Sequence, residues 1–512
     1  MIVRVASGTV VGIDAYPVEV EVDLSAGLPQ FSTVGLPDVA IRESRERIRS
    51  AVKNSGYKFP RHHVTVNLAP ADIKKEGTAF DLPIAVAILA AEGHIDSPTL
   101  HDYVFMGELS LDGGIKEVRG VLPVALQVER MGKKGIIVAT ANAPEAALAE
   151  SIDVIAVSRL SEVVEFLAGR LIITPLKLDL RELFHDTRRY LIDFDDIRGQ
   201  EQAKRALEVA AAGGHNIILI GPPGSGKTML AQRLVTILPE LSLPEAIEST
   251  KIFSVASLLN KNETVLLNRP FRAPHHTISD AGLVGGGRIP KPGEISLAHH
   301  GVLFLDELPE FRKNVLEALR QPLEDAKVTI TRAAMTATYP ADFMLVAAMN
   351  PCPCGYYGDR RRACRCSTTQ IRQYQSRISG PLMDRIDLHV DVPSLPYREL
   401  ARPGSGENSQ TIRARIQQAR NRQAERFAGQ VTGTNAGMSD RQIKEFCPLD
   451  EDCRRLLEMA MEKLGLSVRA YSRIIKVART IADLEGETAI GASQVAEAIQ
   501  YRTLDRNVGQ LN

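Results

Sequence analysis

A chain of 512 residues, of which 44% are hydrophobic and 24% charged, has room for about three domains at roughly 100–200 residues each. The 62 basic and 62 acidic residues balance, which excludes a polycation, so any nucleic-acid contact must come from local patches. No apolar run is as long as the ~20 residues of a membrane helix, and six cysteines indicate a reducing compartment, so we expect a cytoplasmic protein without membrane contact.

Residues 1–172 are expected to form an α+β domain. Strand-like alternation of apolar and polar residues occurs in two segments, and helical spacing of apolar residues occurs in three others. The strand-like segments are 18–22 and 64–68, and the helical ones are 38–55, 78–92 and 142–151. A linker is expected over 173–193, where Pro175 is followed by a charged stretch.

Two segments of this first domain, residues 70–79 and 107–113, resemble the catalytic part of the Lon protease domain. The resemblance departs from the protease at both catalytic positions. Ala79 stands where the protease has its nucleophilic serine, and no lysine is present near Leu122, where the catalytic base would fall. Thr78 is a less favoured substitute nucleophile. We therefore expect this domain to serve assembly or DNA binding rather than proteolysis.

The most informative motif is an eight-residue loop between the apolar run 217–220 and a helical pattern that begins at Met229. Its glycines let successive backbone N–H groups point at phosphate oxygens, and the helix N-terminus adds its dipole. The lysine supplies a charge for the terminal phosphates, and the threonine hydroxyl can ligate Mg²⁺. We therefore predict a site for ATP and Mg²⁺. The loop consists of Gly221, Pro222, Pro223, Gly224, Ser225, Gly226, Lys227 and Thr228.

Two further apolar strands end in polar residues that suit ATP hydrolysis. After residues 302–305, Asp306 can hold Mg²⁺, usually through water, and Glu307 can polarise the water that attacks the γ-phosphate. The alternative is a buried strand with a solvated acidic end, but the upstream loop favours the nucleotide site. After residues 345–349, Asn350 could orient the attacking water, or it could be an ordinary turn residue.

Four cysteines follow as two Cys-x-Cys pairs separated by nine residues. Four thiolates can form a closed, tetrahedral, structural zinc site, although the usual spacing is Cys-x-x-Cys. The alternative is a set of reduced surface thiols or a redox-labile pair. Arginines and tyrosines between the pairs are suited to contacts with DNA phosphates and bases. The cysteines are Cys352, Cys354, Cys364 and Cys366, and the interleaved residues are Tyr356, Tyr357, Arg360, Arg361, Arg362 and Arg365.

Arginines further along the chain could complete the site. Arg385 can act in trans on the γ-phosphate bound by a neighbouring subunit, and arginine fingers contribute orders of magnitude in rate. The alternative is an intrachain salt bridge with Asp384 or Asp387. From about residue 409 the pattern is nearly all helical, and Arg469 or Arg473 could couple the nucleotide to this helical lid.

Two histidine pairs, His275-His276 and His299-His300, have no acidic or thiol partner at helical spacing. We expect packing or hydrogen bonding of these side chains rather than metal binding.

The motifs above, in this order, resemble those of the ComM/YifB family of magnesium-chelatase-like AAA+ ATPases over essentially the full chain. The most specific ones are Phe-Arg-Ala-Pro-His-His-Thr at 271–277, Asn-Pro-Cys-Pro-Cys-Gly at 350–355, Pro-Leu-Met-Asp-Arg-Ile-Asp at 381–387 and Ser-Val-Arg-Ala at 467–470. The resemblance implies a hexameric ring with ATP at the subunit interfaces. It also implies roles for Asn350 as a sensor, Arg385 as the finger and Arg469 as the lid sensor.

The implied fold class is α/β. An AAA+ core would span 194–395 after the Lon-protease-like domain and the linker, and an all-α lid would span 396–512. Segments 278–292 and 328–342 correspond to two hairpins that line the pore in related rings. Their basic residues suit nucleic-acid phosphates, although a glycine-rich loop could equally be a passive connector. These residues are Arg288, Lys291 and Arg332.

The resemblance implies an ATP-driven DNA motor, a branch-migration helicase that helps to integrate single-stranded DNA in natural transformation or recombination. The expected partners are further copies of the chain and single-stranded or branched DNA. One alternative is a motor subunit of magnesium chelatase, against which the N-terminal domain and the cysteine cluster argue. The other is an ATP-dependent protease or its regulator, against which Ala79 argues.

Overall fold

The computed structural model describes residues 2–179, 190–259, 264–287, 290–332, 335–359, 361–396, 406–430 and 433–502. The chain divides into two compact units. The first comprises residues 1–187 and 243–267, and the second comprises residues 188–242 and 268–512. Residues 180–189 of the predicted linker lie outside the described residues, as do Arg288 of the first predicted hairpin and Arg360 of the cysteine loop.

A seven-stranded mixed sheet forms the first unit, with the strand order β3-β4-β2-β1-β5-β8-β9. The segment 18–22 lies in β2 and 64–68 lies in β4, so both strand predictions are confirmed. The small hairpin β6-β7 stands apart from the sheet. The strands are β1 Ile2–Val11, β2 Asp14–Ser25, β3 Phe31–Val34, β4 His63–Ala69, β5 Tyr103–Phe105, β6 Glu108–Leu109, β7 Ile115–Lys116, β8 Gly135–Ala139 and β9 Asp153–Val157.

Helices cover this sheet. The helix Asp81–Ala91 is buried along most of its length and packs on β1 and β2, as its continuous apolar sequence requires. The helix predicted over 142–151 is shorter in the structure, where it spans Ala143–Ala146. The following residues form turns with hydrogen bonds between residues three apart, such as that from the Ala149 N–H to the Ala146 carbonyl oxygen. The helices of this unit are Val39–Asn54, Asp81–Ala91, Val121–Val128, Ala143–Ala146, Leu160–Leu167 and Leu243–Ala256, with a 3-10 turn at Pro98–Asp102.

The helix Leu243–Ala256 belongs to the first unit, although it follows the phosphate-loop helix in sequence. It packs against the helix Val121–Val128, and its Ser254 hydroxyl donates to Oε2 of Glu145 at 2.9 Å. Burial raises the pKa of Glu145, and hydrogen bonds from Ser254 and Asn142 oppose this. The sequence pattern placed 243–256 within the AAA+ core, and the domain boundaries themselves stay predictions.

The protease-like segment of this unit holds no exposed catalytic pair at the positions considered. The Thr78 hydroxyl donates to a carboxylate oxygen of Glu108. Leu122, at the position expected for a catalytic lysine, is fully buried in the apolar core. The nearby Lys75 is also buried, and its ammonium donates to the Pro70 carbonyl oxygen. The Thr78 hydroxyl thus has a carboxylate partner, whereas the serine and the lysine of the protease are both replaced, by Ala79 and Leu122.

A five-stranded parallel sheet forms the core of the second unit, with the order β11-β14-β17-β10-β18. Leu305 of β14 lies opposite Ala347 of β17, and Ile220 of β10 lies opposite Met349. The carboxyl ends of three strands therefore meet at one edge of the sheet, the usual ligand edge of such folds. The strands of this unit are β10 Ile217–Ile220, β11 Phe271–Arg272, β12 Gly285–Gly286, β13 Lys291–Pro292, β14 Val302–Leu305, β15 Lys327–Arg332, β16 Met335–Pro340, β17 Met344–Met349 and β18 Leu388–Asp391.

Longer and shorter helices surround this sheet, and the chain after residue 406 is helical where it is described, as its sequence pattern predicts. Together these elements confirm the predicted α/β fold class with an all-α C-terminal region. Within the described residues, none of the helices has the length and apolar character needed to cross a membrane. The helices are Glu201–Gly213, Lys227–Ile237, Asp280–Leu283, Glu294–Leu297, Lys313–Glu317, Pro322–Asp325, Thr368–Gln375, Gly380–Met383, Ser409–Arg426, Asp440–Phe446, Glu451–Leu464, Val468–Glu485 and Ala492–Gln500, with 3-10 turns at Phe194–Asp196, Leu308–Glu310 and Asn435–Gly437.

A buried carboxylate holds the C-terminal helices together. Asp483 is fully buried and accepts hydrogen bonds from Arg426 and from the side-chain amide of Asn435, each at 2.8 Å. Arg479, one helical turn earlier, lies 3.0 Å from the same carboxylate. Removal of one partner from such a buried charged group typically costs about 3–5 kcal/mol, so this network fixes the packing of the helical region.

Candidate nucleotide-binding site

The phosphate loop connects β10 to the helix Lys227–Ile237, as predicted. Gly224 and Gly226 adopt φ values of 74° and 92°, in the left-handed region that favours glycine. The first N–H groups of the helix lack intrahelical partners and lie at the positive end of its dipole. The Ser225 Oγ atom is buried and has no hydrogen-bond partner among the described residues. The loop therefore offers free donors to an anionic ligand.

The Lys227 ammonium lies beneath this loop. Its Nζ atom donates to the carbonyl oxygens of Gly221 and Pro222, at 2.8 and 2.9 Å, and to Oδ1 of Asn350 at 3.2 Å. Burial lowers the pKa of Lys227, and the negative charges of nearby carboxylates, Asp306 first, oppose this. The predicted sensor Asn350 is thus brought into direct contact with the predicted phosphate-binding lysine.

Thr228, at the start of the helix Lys227–Ile237, contacts Asp306, which directly follows β14. The Thr228 hydroxyl donates to Oδ2 of Asp306 at 2.7 Å. A hydroxyl and a carboxylate are oxygen ligands of the kind that Mg²⁺ takes when it also binds substrate phosphates. Together with the donors of the loop, this pair fits a magnesium-bound nucleoside triphosphate.

Glu307 is held in a defined position beside this pair. Its φ is 52°, a left-handed conformation that costs a non-glycine residue about 1–2 kcal/mol and that clusters at functional sites. Its backbone N–H donates to Oδ1 of Asp306 at 2.9 Å. Its Oε2 lies 3.3 Å from Nδ1 of His276. The strained backbone and the histidine together set the direction of the carboxylate.

Two residues of the site were not assigned to it from the sequence. His276 was expected only to pack or hydrogen-bond, and it does both, since its ring also contacts Phe311 edge-on with centroids 6.4 Å apart. Its neighbour His275 bonds to Thr277 at 2.9 Å. Gln200, at φ 55°, donates from its side-chain amide to the Ser225 carbonyl of the phosphate loop. His276 lies within the motif at 271–277, which does not specify its contact with Glu307, and no sequence motif contains Gln200.

The arginines predicted to complete the nucleotide site contact other residues of their own chain. Arg385 is buried, and its guanidinium bonds to Glu324 and to the Pro381 carbonyl oxygen. An intrachain salt bridge is thus present, but its partner is Glu324 rather than Asp384 or Asp387. The trans role of Arg385 stays a prediction.

The two candidate lid sensors differ in their surroundings. Arg469 has a side chain that is 65% exposed and lies 3.8 Å from Asp384, next to Arg385 in sequence. Arg473 is 25% exposed and bonds to the buried carboxylate of Asp387. Burial would raise the pKa of Asp387, but the charge of Arg473, with help from His215, outweighs it and holds the pKa below its usual range. Arg473 is therefore committed to a structural ion pair, and Arg469 is the more accessible of the two.

A buried histidine extends this ion pair to the start of β10. His215 lies 3.1 Å from Asp387 through Nδ1 and 2.8 Å from the Thr480 hydroxyl through Nε2. Burial lowers the pKa of His215, although Asp387 opposes this. The network connects the strand that leads into the phosphate loop with the helix Val468–Glu485, which carries Arg469.

The four cysteines of the double Cys-x-Cys motif converge. Their sulfur atoms all lie within 4.8 Å of one another. Cys352 Sγ is 3.4 Å from that of Cys354 and 3.7 Å from that of Cys364, and the latter two are 3.6 Å apart. A tetrahedral zinc site with Zn–S bonds of about 2.3 Å has sulfur atoms about 3.8 Å apart, so the cluster is suited to bind a metal ion.

The protonation of these thiols also depends on their mutual contacts. Backbone N–H groups of Arg365 and Tyr356 lower the pKa of Cys354 to about 6. The Cys366 N–H lowers the pKa of Cys364, but desolvation and the sulfurs of Cys354 and Cys352 outweigh it and raise the pKa to about 12. Four adjacent thiolates repel one another, and a bound cation would remove that cost.

The two predicted hairpins are present and contact each other. The first consists of β12 and β13, and the second of β15 and β16. The Tyr339 hydroxyl of the second donates to the Pro290 carbonyl oxygen of the first at 2.7 Å. Lys291 and Arg332, one from each hairpin, are exposed. The paired hairpins therefore present two positive charges to solvent.

Comparison with known proteins extends the resemblance. Family models described as "Magnesium chelatase, subunit ChlI", "Subunit ChlI of Mg-chelatase" and "Magnesium chelatase, subunit ChlI C-terminal" match residues 193–400, 20–142 and 406–502. Because a chelatase description attaches to 20–142 as well, the N-terminal region does not by itself separate this chain from chelatase subunits.

Similar proteins align with nearly the whole chain. This chain is 47% identical over 507 residues to "Competence protein ComM" of Haemophilus influenzae, and the alignment covers 98% of this chain and 97% of that protein. It is 46% identical over 497 residues to "Uncharacterized protein YifB" of Salmonella typhimurium, covering 97% and 96%. Likeness to the "Magnesium-chelatase 67 kDa subunit" of Chlorobaculum tepidum is 28% over 169 residues, 31% of this chain and 24% of that protein. The chain therefore belongs to the ComM/YifB family of magnesium-chelatase-like AAA+ proteins.

Proposed function

We propose that this protein is an ATP-driven motor that remodels DNA, a branch-migration helicase acting in the integration of single-stranded DNA during natural transformation or recombination. The observation that carries the ATPase part is the convergence of Lys227, Thr228 and Asp306 at one edge of the parallel sheet. The DNA part rests on full-length likeness to a competence protein and on the exposed basic hairpins.

In the proposed hydrolysis, the phosphate loop binds the triphosphate and Lys227 neutralises charge on the terminal phosphates. Bound Mg²⁺, held by Thr228 and Asp306, would supply further charge neutralisation. Glu307 accepts a proton from the attacking water as its oxygen bonds to the γ-phosphorus, and the bond to the bridging oxygen breaks. Asn350, in contact with Lys227, orients that water.

We propose a homo-hexamer in which each nucleotide lies between two subunits. Members of the AAA+ family commonly oligomerise. Arg385 and Arg469 lie near each other, because Asp384, the residue before Arg385, is 3.8 Å from Arg469. In a head-to-tail ring, Arg385 would face the phosphate loop of the next subunit, and Arg469 would couple the nucleotide to the helical lid. The cytoplasm is the proposed location, since the six cysteines, all among the described residues, are free thiols.

The alternatives have less support. The likeness to a chelatase subunit covers 31% of the chain, whereas that to ComM and YifB proteins covers nearly all of it. A protease of the Lon type would need a serine and a lysine, yet Ala79 has no hydroxyl and the buried Leu122 stands where the lysine would fall. Degradation of casein without unwinding of forked DNA would favour the protease and contradict the motor.

ATP hydrolysis is expected to rise several-fold with branched or single-stranded DNA and less with duplex DNA.

Replacing Lys291 and Arg332 together by alanine should weaken DNA binding and reduce the slope of log affinity against log salt by up to about 2. The matched control is Arg441→Ala with Lys444→Ala, because both residues are exposed on the helix Asp440–Phe446. ATPase assays and salt-dependent binding to labelled forks measure these effects. Equal salt slopes for the two double variants would contradict the hairpin assignment.

We further propose that the cysteine cluster holds a structural Zn²⁺ ion. Purified protein should contain about one zinc per chain by mass-spectrometric metal analysis, because four thiolates satisfy a closed tetrahedral site. Cys354→Ser should lose most of the metal. Cys447→Ser, at a buried free cysteine in the C-terminal region, is the control and should retain it. Equal zinc content in the two variants would exclude the cluster as the site.

A further inference from the structure

The cysteine cluster is continuous with the predicted sensor of the nucleotide site. Asn350 directly follows β17, and Cys352 comes after a single proline. Cys352 is fully buried, and its carbonyl accepts a hydrogen bond from the Gly355 N–H at 2.9 Å, which closes a tight turn. The side-chain amide of Gln375 donates to the Pro351 carbonyl oxygen at 3.0 Å. The segment between sensor and cluster therefore has little freedom to move independently.

The same turn rests on the phosphate loop. Gly355 has a φ of 84°, and a Cβ atom there would lie 2.5 Å from Cδ and 2.7 Å from Cγ of Pro223. Pro223 is a rigid ring in the centre of the phosphate loop, so the backbone of the cysteine turn and the loop are in close contact. Three residues on, Gly358 has a φ of 79°, but a Cβ atom there would meet nothing within 4 Å. These two glycines differ chiefly in this contact.

The phosphate loop and the sensor strand are also joined directly. The Gly221 N–H donates to the Met349 carbonyl oxygen at 3.2 Å, and Lys227 bonds to Asn350 as described above. The loop is thus held on one side by β17 and on the other by the cysteine turn. A displacement of the turn would move Pro223 and Asn350 relative to Lys227.

We infer that the metal-bound cysteine cluster is a positioning element of the ATP site, which holds Gly355 against Pro223 and thereby sets the phosphate loop and Asn350 in register. This inference rests on the proposed ATPase activity and on the proposed metal. The effect of the cluster is on geometry, and a misplacement of about 1 Å in an active site can cost about 10²-fold in rate.

The full-length protein with Gly355→Ala tests the contact, and Gly358→Ala is the matched control. Both substitutions place a side chain at a similar positive φ, 84° and 79°, in two successive turns, so both carry similar backbone strain. We expect both variants to retain zinc. Gly355→Ala should lower kcat for ATP by about 10-fold or more, whereas Gly358→Ala should stay within about twofold of the parent.

A second experiment removes the Pro223 ring, which the methyl group introduced at position 355 would contact. A double-mutant cycle compares the effect of Gly355→Ala on kcat in the parent and in Pro223→Ala. The double variant should have nearly the same kcat as Pro223→Ala alone, because the new methyl group no longer meets the proline ring. A loss of activity caused by backbone strain at residue 355, rather than by contact with Pro223, would persist in that background. An equal loss in both backgrounds, or equal kcat for Gly355→Ala and Gly358→Ala, would overturn the inference.

The metal arm uses parent protein stripped of zinc with a chelator, exchanged into Mg²⁺-containing buffer and then given Zn²⁺ alone. ATP turnover should fall on stripping and return on reconstitution, with metal content measured in each sample. Unchanged turnover in verified zinc-free protein would overturn the positioning role of the metal. No hydrolysis by the parent under any condition would instead contradict the proposed ATPase, and no zinc in the parent would contradict the proposed metal.

Discussion

Replacing Glu307 with glutamine is expected to lower ATP turnover by about 10²–10⁴-fold while leaving ATP affinity nearly unchanged, because an amide cannot accept the proton of the attacking water. Single-turnover hydrolysis separates the chemical step from binding, and a fluorescent ATP analogue reports affinity. The change is nearly isosteric, so the contacts of the loop with the phosphates should persist.

The matched control for this substitution is Glu310→Gln. Glu310 ends the 3-10 turn that follows Glu307, and its carboxylate lies 2.9 Å from Arg377. The control removes the same charge from the same turn, yet Glu310 has no assigned role, and turnover within about twofold of the parent is expected. If Glu307→Gln hydrolysed ATP at the parental rate, the assignment of Glu307 as the base would be wrong.

The position of Glu307 gives this prediction its physical basis. The residue follows Asp306 at the end of β14, and its left-handed backbone turns the side chain away from the direction that an extended strand would give it. His276 then holds the carboxylate at 3.3 Å. A left-handed backbone and a histidine contact at the end of a strand are compatible with the proposed role of Glu307 as the base, since strained residues cluster at active sites.

Much of this site could be predicted from sequence because its signals are local. The strand 217–220 is observed as β10 with the predicted bounds, since a short apolar run before a glycine-rich loop has few other solutions in a parallel sheet. Asp306 and Asn350 meet the loop because they directly follow β14 and β17, which are neighbouring parallel strands, and ligands bind at the carboxyl ends of such strands.

What could not be predicted depends on contacts between segments that are distant in sequence. Nothing in the histidine pair specifies that His276 faces Glu307, because that contact requires the path of the chain after β11. Likewise, the helix Leu243–Ala256 joins the first unit through buried packing and Glu145, which its own sequence does not encode. The choice between Arg469 and Arg473 was open for the same reason: a buried aspartate, not helix position, separates them.

Arg385→Ala is expected to lower ATP turnover by about 10³–10⁵-fold, the usual contribution of an arginine finger, with little change in ATP affinity. Arg372→Ala, at an exposed arginine on the helix Thr368–Gln375, is the control and should remain near parental activity. Arg385 is bonded to the half-exposed carboxylate of Glu324 within its own chain. In the trans mechanism, the γ-phosphate bound by the neighbouring subunit must therefore compete with Glu324 for the Arg385 guanidinium.

Mixing variants distinguishes a trans arginine from a structural one. Lys227→Ala should abolish nucleotide binding in its own subunit but leave its Arg385 intact, whereas Arg385→Ala does the reverse. In a random 1:1 mixture of a head-to-tail ring, about a quarter of the interfaces would pair an intact phosphate loop with an intact arginine. Turnover should therefore rise from near zero in each variant alone to a substantial fraction of the parental rate. A mixture as inactive as its components would show that Arg385 acts within its own subunit, where its bond to Glu324 would be its whole role.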